Sequence, residues 1–233
     1  MTVLVPHYSK LSERRVSLQR ALERQGLSAI WITEFDQEDL TDEIIAEAVD
    51  LGSLRELAAI TESASGSKRY PEKPLKRSEI SIALKHLNIL RSYSDSPHGY
   101  IVVMEDDVQF RGARFAERFA CGLKKTPSDW DMIFFGESGI PFEKRPLRRL
   151  WNRLSGRTVF RKDHPATRCL DSYAIKSGAA ARLVREIDRI ALPIDWELNY
   201  WIARLALNVY WWEPGLTVQG SQTGAWRSSI RAN

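Results

Sequence analysis

Cysteine and long apolar runs are scarce in this sequence, and each scarcity excludes a class of protein. The 233 residues include two cysteines, Cys121 and Cys169, too few for a disulfide framework or a four-thiolate zinc site. We expect both to be reduced core thiols in a cytoplasmic protein. The longest apolar run, residues 100–104, is too short to cross a bilayer. Residues 1–10 lack the charged start and apolar stretch of a secretory signal, so we expect neither secretion nor membrane insertion.

Basic side chains outnumber acidic ones, and their excess is concentrated in one segment. Lys and Arg total 34 against 30 Asp and Glu, and residues 141–169 carry nine of the basic side chains against two acidic ones. Four apolar residues of this segment recur at helical spacing among arginines: Leu147, Leu150, Trp151 and Leu154. The pattern predicts a basic amphipathic helix suited to an anionic membrane surface, at the inner face of the membrane. An ordinary surface helix that packs this stripe on the core is the alternative.

Hydrophobic periodicity predicts alternating strands and helices. A strand at 2–5, a helix from Ser12 to near Gly26 and a strand at 29–33 follow the order of a βαβ unit. The apolar run 100–104 and the run 131–135, which is apolar after Asp131, are typical of strands that are covered on both faces. We therefore predict an α/β fold whose mostly parallel central sheet is flanked by helices. No linker divides the chain, so we expect one domain over residues 1–233.

Three consecutive carboxylates follow the predicted strand 100–104. In a strand alternate side chains share a face, so Glu105 and Asp107 should point one way and Asp106 the other. Open α/β sheets bind ligands at the carboxyl ends of their parallel strands. Carboxylate oxygens at that edge suit a hard divalent cation that bridges to phosphate. The alternative is a solvated acidic turn that ends the strand.

Four blocks of sequence carry a resemblance to a known family. The blocks run across nearly the whole chain. They are 12–15 (SERR) with 35–36 (FD), 79–86 (EISIALKH), 104–108 (MEDDV), and 171–175 (DSYAI) with 178–179 (GA) and 192–195 (LPID). In this order, they resemble the opening segment, the GEIGC..SH helix, the LEDDV motif and the YxI…GA…PxD tail of glycosyltransferase family 25, which includes lipooligosaccharide and collagen galactosyltransferases. In the family, small residues or cysteine usually precede a Ser-His pair. This chain departs from that pattern with Ser81, Ile82 and Lys85, where Lys85 takes the place of the serine.

The resemblance implies a GT-A fold, a nucleotide-sugar donor, a Mn²⁺ or Mg²⁺ ion and inversion at the anomeric carbon. UDP-galactose is the family's commonest donor, and the acceptor would be a lipooligosaccharide or another glycan. Asp107 would hold the metal and Glu105 would contact the metal or the ribose. Asp106 would orient its neighbours or bind the acceptor.

Inversion by single displacement also needs a general base for the acceptor hydroxyl. Asp195 is the leading candidate and Glu197 the second. The alternative for Asp195 is that it only caps the helix that we expect to begin near Trp196.

Two further residues are candidates for donor binding. His86 shares a helical face with Glu79, and the family match favours a role at the donor site; a structural core histidine is the alternative. Arg227, with Arg231, could close over the diphosphate as a lid, or the tail could remain solvated.

Two other classes of function remain open. A catalytically silent family member would bind a glycan as a scaffold without using a donor, but the intact pair Glu105 and Asp107 weighs against it. A metal-dependent nucleic-acid-binding protein, such as a nuclease, would fit the basic charge. No recognised nucleic-acid-binding motif or evenly basic stripe is present, so we expect no nucleic-acid partner.

Overall fold

The computed structural model describes residues 1–50, 74–136, 147, 154, 156, 158–163, 166–167 and 169–227. The strands are β1 (Thr2–Pro6), β2 (Ser28–Ile32), β3 (Tyr100–Met104), β4 (Val108–Phe110), β5 (Met132–Phe134), β6 (Val159–Arg161), β7 (Ser172–Lys176), β8 (Val209–Trp212) and β9 (Thr217–Gln219). The helices are α1 (Ser12–Arg24), α2 (Asp42–Ala48), α3 (Arg77–Ser92), α4 (Phe115–Leu123), α5 (Ser177–Glu186), α6 (Ile194–Arg204) and α7 (Gly220–Thr223).

A seven-stranded sheet in the order β2-β1-β3-β7-β5-β8-β6 forms the centre of the fold. Strands β2 and β3 are parallel to β1, β7 is antiparallel to both β3 and β5, β8 is parallel to β5, and β6 is antiparallel to β8. Five of the seven strands therefore share one direction, and the α/β prediction of a mostly parallel sheet is confirmed. Strands β4 and β9 form a separate antiparallel pair.

Both faces of this sheet are covered by apolar side chains from helices. Ile101 and Val103 of β3 pack into a core with helices α3, α5 and α6, whereas Val102 and Met104 pack into a second core with α1 and α4. This alternation is the period of two that a strand imposes. The prediction that residues 100–104 form a strand buried on both faces is confirmed.

Helix α3 carries several of the candidate residues and has a well-defined start. The Glu79 carboxylate accepts a hydrogen bond from the Lys76 backbone N–H at 2.8 Å, which satisfies one of the amides left unpaired at a helix start. The helix then presents Ile80, Ala83 and Leu87 to the core. The helix spans all of the block 79–86, which resembles a helix of the family.

The two cysteines lie elsewhere than expected. Cys121 is exposed and Cys169 is half-buried, and neither forms a disulfide. The expectation of two core thiols was wrong because Cys121 lies on the outer face of α4, whose buried face carries Phe115 and Phe119.

The basic amphipathic helix predicted within residues 141–169 falls mostly outside the described residues. Of its apolar stripe only Leu147 and Leu154 are described, and they are 82% and 75% exposed. These two leucines therefore do not pack on the core. No described helix is both long enough and apolar enough to span a membrane.

Candidate functional site

The three carboxylates directly after β3 lie at the carboxyl end of the strand, where the sequence placed them. The chain is fixed there by the Glu105 backbone N–H, which donates to the carbonyl of Asp171 at 2.8 Å. Asp171 immediately precedes β7, the antiparallel neighbour of β3. Its carboxylate lies so close to Gly136 that a Cβ added to that glycine would approach an Asp171 oxygen to 2.0 Å.

Asp106 is held by two residues from the N-terminal part of the chain. One carboxylate oxygen bonds to His7 Nδ1 at 2.8 Å and the other accepts from Arg14 Nη1 at 2.8 Å. All three side chains are buried. With both of its oxygens bonded, Asp106 fixes the loop after β1 to the end of β3. This geometry favours the orienting role over the acceptor-binding role that the sequence also allowed.

Glu105 is half-buried and lies among other carboxylates. Gln219 Nε2 donates to Glu105 Oε2 at 3.1 Å. Burial, followed by the negative charges of Asp107, Asp171, Asp106 and Asp195, raises the pKa of Glu105 well above its ordinary value. Such crowding is costly unless a positive charge or a proton compensates it.

Asp107 has one oxygen that is bonded and one that is not. Oδ2 accepts from the Ser221 backbone N–H at 3.0 Å, whereas Oδ1 is buried and has no hydrogen-bond partner among the described residues. Burial raises the pKa of Asp107, although the Ser221 amide and the Arg14 charge act in the opposite direction. A buried carboxylate oxygen without a partner needs an explanation, and a bound ion is one of the few available.

The residues present fit a divalent cation with a small number of protein ligands. Asp107 Oδ1 is a hard oxygen donor, and Asp107 is close enough to Glu105 for its negative charge to help raise the pKa of Glu105. Within the described part of the chain, no group of three His, Cys, Asp or Glu side chains could hold a metal alone. Mg²⁺ is usually bound by one or two carboxylates together with waters and substrate phosphates, which two protein ligands would match.

Asp195 lies near the same carboxylates, and its pKa is raised. Helix α6 begins at Ile194 with Pro193 as its N-cap, so Asp195 lies in the first turn, where its carboxylate accepts hydrogen bonds from the backbone amides of Asp195 and Trp196. These bonds help to stabilise the start of the helix, and they are compatible with a chemical role. Burial raises the pKa of Asp195 to about 6; hydrogen bonds from backbone amides oppose this rise, and the charge of Glu79 adds to it. A carboxylate with that pKa can accept a proton near neutral pH.

Glu197 serves the fold around α6. Oε2 accepts from the backbone N–H groups of Ala191 and Leu192 at 3.1 and 3.0 Å, and Oε1 accepts from the Trp201 indole at 2.9 Å. The side chain is fully buried. Because one oxygen holds the turn before α6 and the other bonds to Trp201 within the helix, the geometry favours Asp195 over Glu197 as the candidate base.

His86 lies inside the core, and among the described residues its link to the acidic cluster runs through Tyr173. Its Nδ1 is 3.0 Å from the Tyr173 hydroxyl, and burial lowers the pKa of His86 to about 3, so the ring is neutral. The hydroxyl in turn lies within the electrostatic field of Glu105. This placement favours a supporting role for His86 rather than direct contact with a donor.

Arg227 is at the end of the described chain. Its backbone carbonyl accepts a hydrogen bond from Arg14 Nη2, which places the C-terminal segment beside the Asp106 network. Arg231, its companion in the predicted lid, lies outside the described residues.

Several residues of the site were not found by sequence reasoning. They come from both ends of the chain and from β7, far from the acidic triplet in sequence: His7, Arg14, Tyr173, Gln219 and Ser221. Arg14 and Tyr173 lie in the blocks 12–15 and 171–175 that resemble the family, but no role followed from that resemblance, and no local pattern marks the other three.

Comparison with known proteins finds similarity among solved structures, at a distant level. No family profile matches the chain, and no curated protein matches it. Among solved structures it is similar to mouse xyloside xylosyltransferase 1 in its apo form, with 10% sequence identity and a TM-score of 0.41, over 89% of this chain and 83% of that one. Identity and TM-score at this level assign no function.

Proposed function

We propose that this chain is a metal-dependent, inverting glycosyltransferase that moves a hexose, with galactose the first choice, from a UDP-sugar to a hydroxyl of a lipooligosaccharide or another glycan. The observation that carries the proposal is the buried, unpartnered Oδ1 of Asp107. It lies beside Glu105 at the carboxyl end of a central strand, where α/β sheets bind ligands. The blocks that resemble glycosyltransferase family 25 support the reaction class and its stereochemistry.

Asp107 and Glu105 would hold Mn²⁺ or Mg²⁺, and the bound ion would supply positive charge against the departing diphosphate. The ring of carboxylates around Glu105, which raises its pKa, disfavours a bare diphosphate at this edge. Cation and donor should therefore bind together.

Asp195 would act as the general base. As its carboxylate takes the proton of the acceptor hydroxyl, the acceptor oxygen bonds to the anomeric carbon and the bond from that carbon to the UDP oxygen breaks, with the electron pair leaving on UDP. A pKa of about 6 keeps most of this carboxylate ionised at pH 7, while leaving it a stronger base than an ordinary aspartate.

Binding of the basic segment 141–169 to an anionic membrane surface stays a prediction. Such binding would bring the enzyme to a lipid-linked acceptor. The exposure of Leu147 and Leu154 supports it. Cosedimentation with anionic vesicles, compared between the wild type and a variant in which Arg148, Arg149 and Arg153 are reversed to Glu, tests it: equal binding would contradict it.

The reaction itself is tested by UDP release. The protein is incubated with Mn²⁺ and a panel of UDP-hexoses, with and without glycan acceptors, and UDP is quantified. We expect release that needs both Mn²⁺ and an acceptor and that is fastest with UDP-galactose. Glycan binding without UDP release from any donor would instead identify a silent scaffold, and cleavage of DNA in Mg²⁺ would identify a nuclease.

A further inference from the structure

Residues 219–227, here named the C-terminal cover, lie directly on the two candidate metal-binding carboxylates. Gln219 Nε2 donates to Glu105 Oε2 at 3.1 Å. The Gly220 N–H donates to the Asp107 backbone carbonyl at 2.8 Å, and the Ser221 N–H donates to Asp107 Oδ2 at 3.0 Å. Asp107 is only 3% exposed.

One arginine joins the far end of this cover to the acidic triplet. Arg14, itself buried, donates through Nη1 to Asp106 and through Nη2 to the carbonyl of Arg227. Its guanidinium also lies 5.9 Å from the centre of the Trp226 ring, within the range of a cation–π contact. The two ends of the cover are joined by the Trp226 backbone N–H, which donates to the Gly220 carbonyl at 3.2 Å.

The cover fits without spare room at Gly220. A Cβ added there would lie 2.5 Å from Trp226 Cδ1 and 2.6 Å from the Asp107 carbonyl oxygen. Since real Cβ atoms do not approach so closely, a single methyl group at this position must push the cover away from Asp107 or from Trp226.

We propose that the C-terminal cover gates the site: it must leave Asp107 before a cation and a diphosphate can bind, and Arg14 is the positioning residue that holds it closed. The Oδ1 atom offered to a cation is inaccessible in the covered state. Opening frees Asp107 Oδ2 and Glu105 Oε2 from Ser221 and Gln219, so the same movement exposes and unpairs both carboxylates. The proposal rests on the proposed function only in taking Asp107 as the ligand-binding group.

Hydrogen exchange of the ligand-free protein tests, without any substrate, whether Arg14 and the close fit at Gly220 hold the C-terminal cover closed, an arrangement here named the latch. Gly220→Ala forces the cover outward, and Arg14→Lys keeps a charge for Asp106 but loses the planar fork that spans Asp106 and Arg227. Both should raise exchange in peptides covering 217–227 by about tenfold, through local opening, and leave α3 unchanged. Gly178→Ala is the matched control, because its added Cβ meets no atom within 4 Å. Wild-type exchange in both variants would overturn the latch.

Stopped-flow mixing with Mn²⁺ and UDP then tests the gate. We expect association to be about three- to tenfold faster in Gly220→Ala than in the wild type or Gly178→Ala, because more of the protein is open before binding. Faster exchange without faster association would overturn the gate and leave the proposed function intact. Absence of Mn²⁺ and UDP binding in the wild type would overturn the proposed function and the gate together, while the exchange result for the latch would stand.

Discussion

Asp195→Asn should lower the rate of sugar transfer by about 10²- to 10⁴-fold, the usual contribution of a general base. Asparagine keeps the size of the side chain and its place in the first turn of α6, but it cannot take the proton of the acceptor hydroxyl. Binding of UDP and Mn²⁺ should stay close to that of the wild type, since Asp195 is not among the residues proposed to hold the ion. Initial rates of UDP release at saturating donor measure the effect.

The pH dependence of that rate provides a second readout. Because the base must be ionised and its pKa is raised to about 6, the wild-type rate should rise with pH through about 6 and then level off. The residual rate of Asp195→Asn should lack this rise. The exposed Asp188 provides a matched control, and Asp188→Asn should transfer at the wild-type rate. A variant of Asp195 with wild-type turnover would assign the base elsewhere.

Asp36→Asn is expected to lower the free energy of unfolding by about 3–5 kcal/mol, the usual cost of removing one partner of a buried ion pair. Lys85 Nζ donates to Asp36 Oδ1 at 2.7 Å and to the Glu34 carbonyl at 2.7 Å, and the Ser9 N–H donates to Asp36 Oδ2 at 3.1 Å. Lys85 is only 1% exposed, so the substitution leaves its charge without a counter-ion in the core. Chemical denaturation measures the loss.

The pH dependence of this stabilisation has a definite sign. Although burial alone would raise it, hydrogen bonds from Lys85 and Ser9 hold the pKa of Asp36 below its ordinary value. A carboxylate with a lowered folded-state pKa stabilises the fold above the unfolded-state pKa, and its contribution is lost as the pH falls through the folded-state value. The wild type should therefore lose more stability on acidification than Asp36→Asn.

The chain offers a matched control in the exposed pair Arg77 and Asp42, whose charged atoms are 2.9 Å apart. Solvent screens such a pair, so Asp42→Asn should unfold at nearly the wild-type denaturant concentration. Equal losses in Asp36→Asn and Asp42→Asn would show that burial does not set the energy of the Lys85 pair.

The sheet could be predicted because its strands carry strong local patterns. The run Tyr100–Met104 fills both cores of the sheet, and such a run is visible without knowing its neighbours. Helix α4 was missed because it starts after Arg114 in a left-handed conformation, with no side chain to cap it. The three-residue strand β4 was also missed, because it pairs with β9, which lies more than a hundred residues away in the sequence.

The candidate site, like the fold, could be predicted only where its residues are adjacent in sequence. Glu105, Asp106 and Asp107 are adjacent in sequence, so their chemistry was predictable. The groups that determine their roles are not adjacent: His7 and Arg14 engage Asp106, and Ser221 engages Asp107. Lys85 was recognised only as a departure from the family pattern, because its partner Asp36 is 49 residues away.

Calorimetry of UDP binding to the wild type and to Asp107→Ala, each with and without Mn²⁺, tests most directly the claim that the acidic edge of β3 holds a cation and a diphosphate. The account predicts that the wild type binds UDP only when Mn²⁺ is present and that Asp107→Ala binds none under either condition. Binding that is indifferent to Mn²⁺ and to Asp107, or no binding by the wild type, would contradict it.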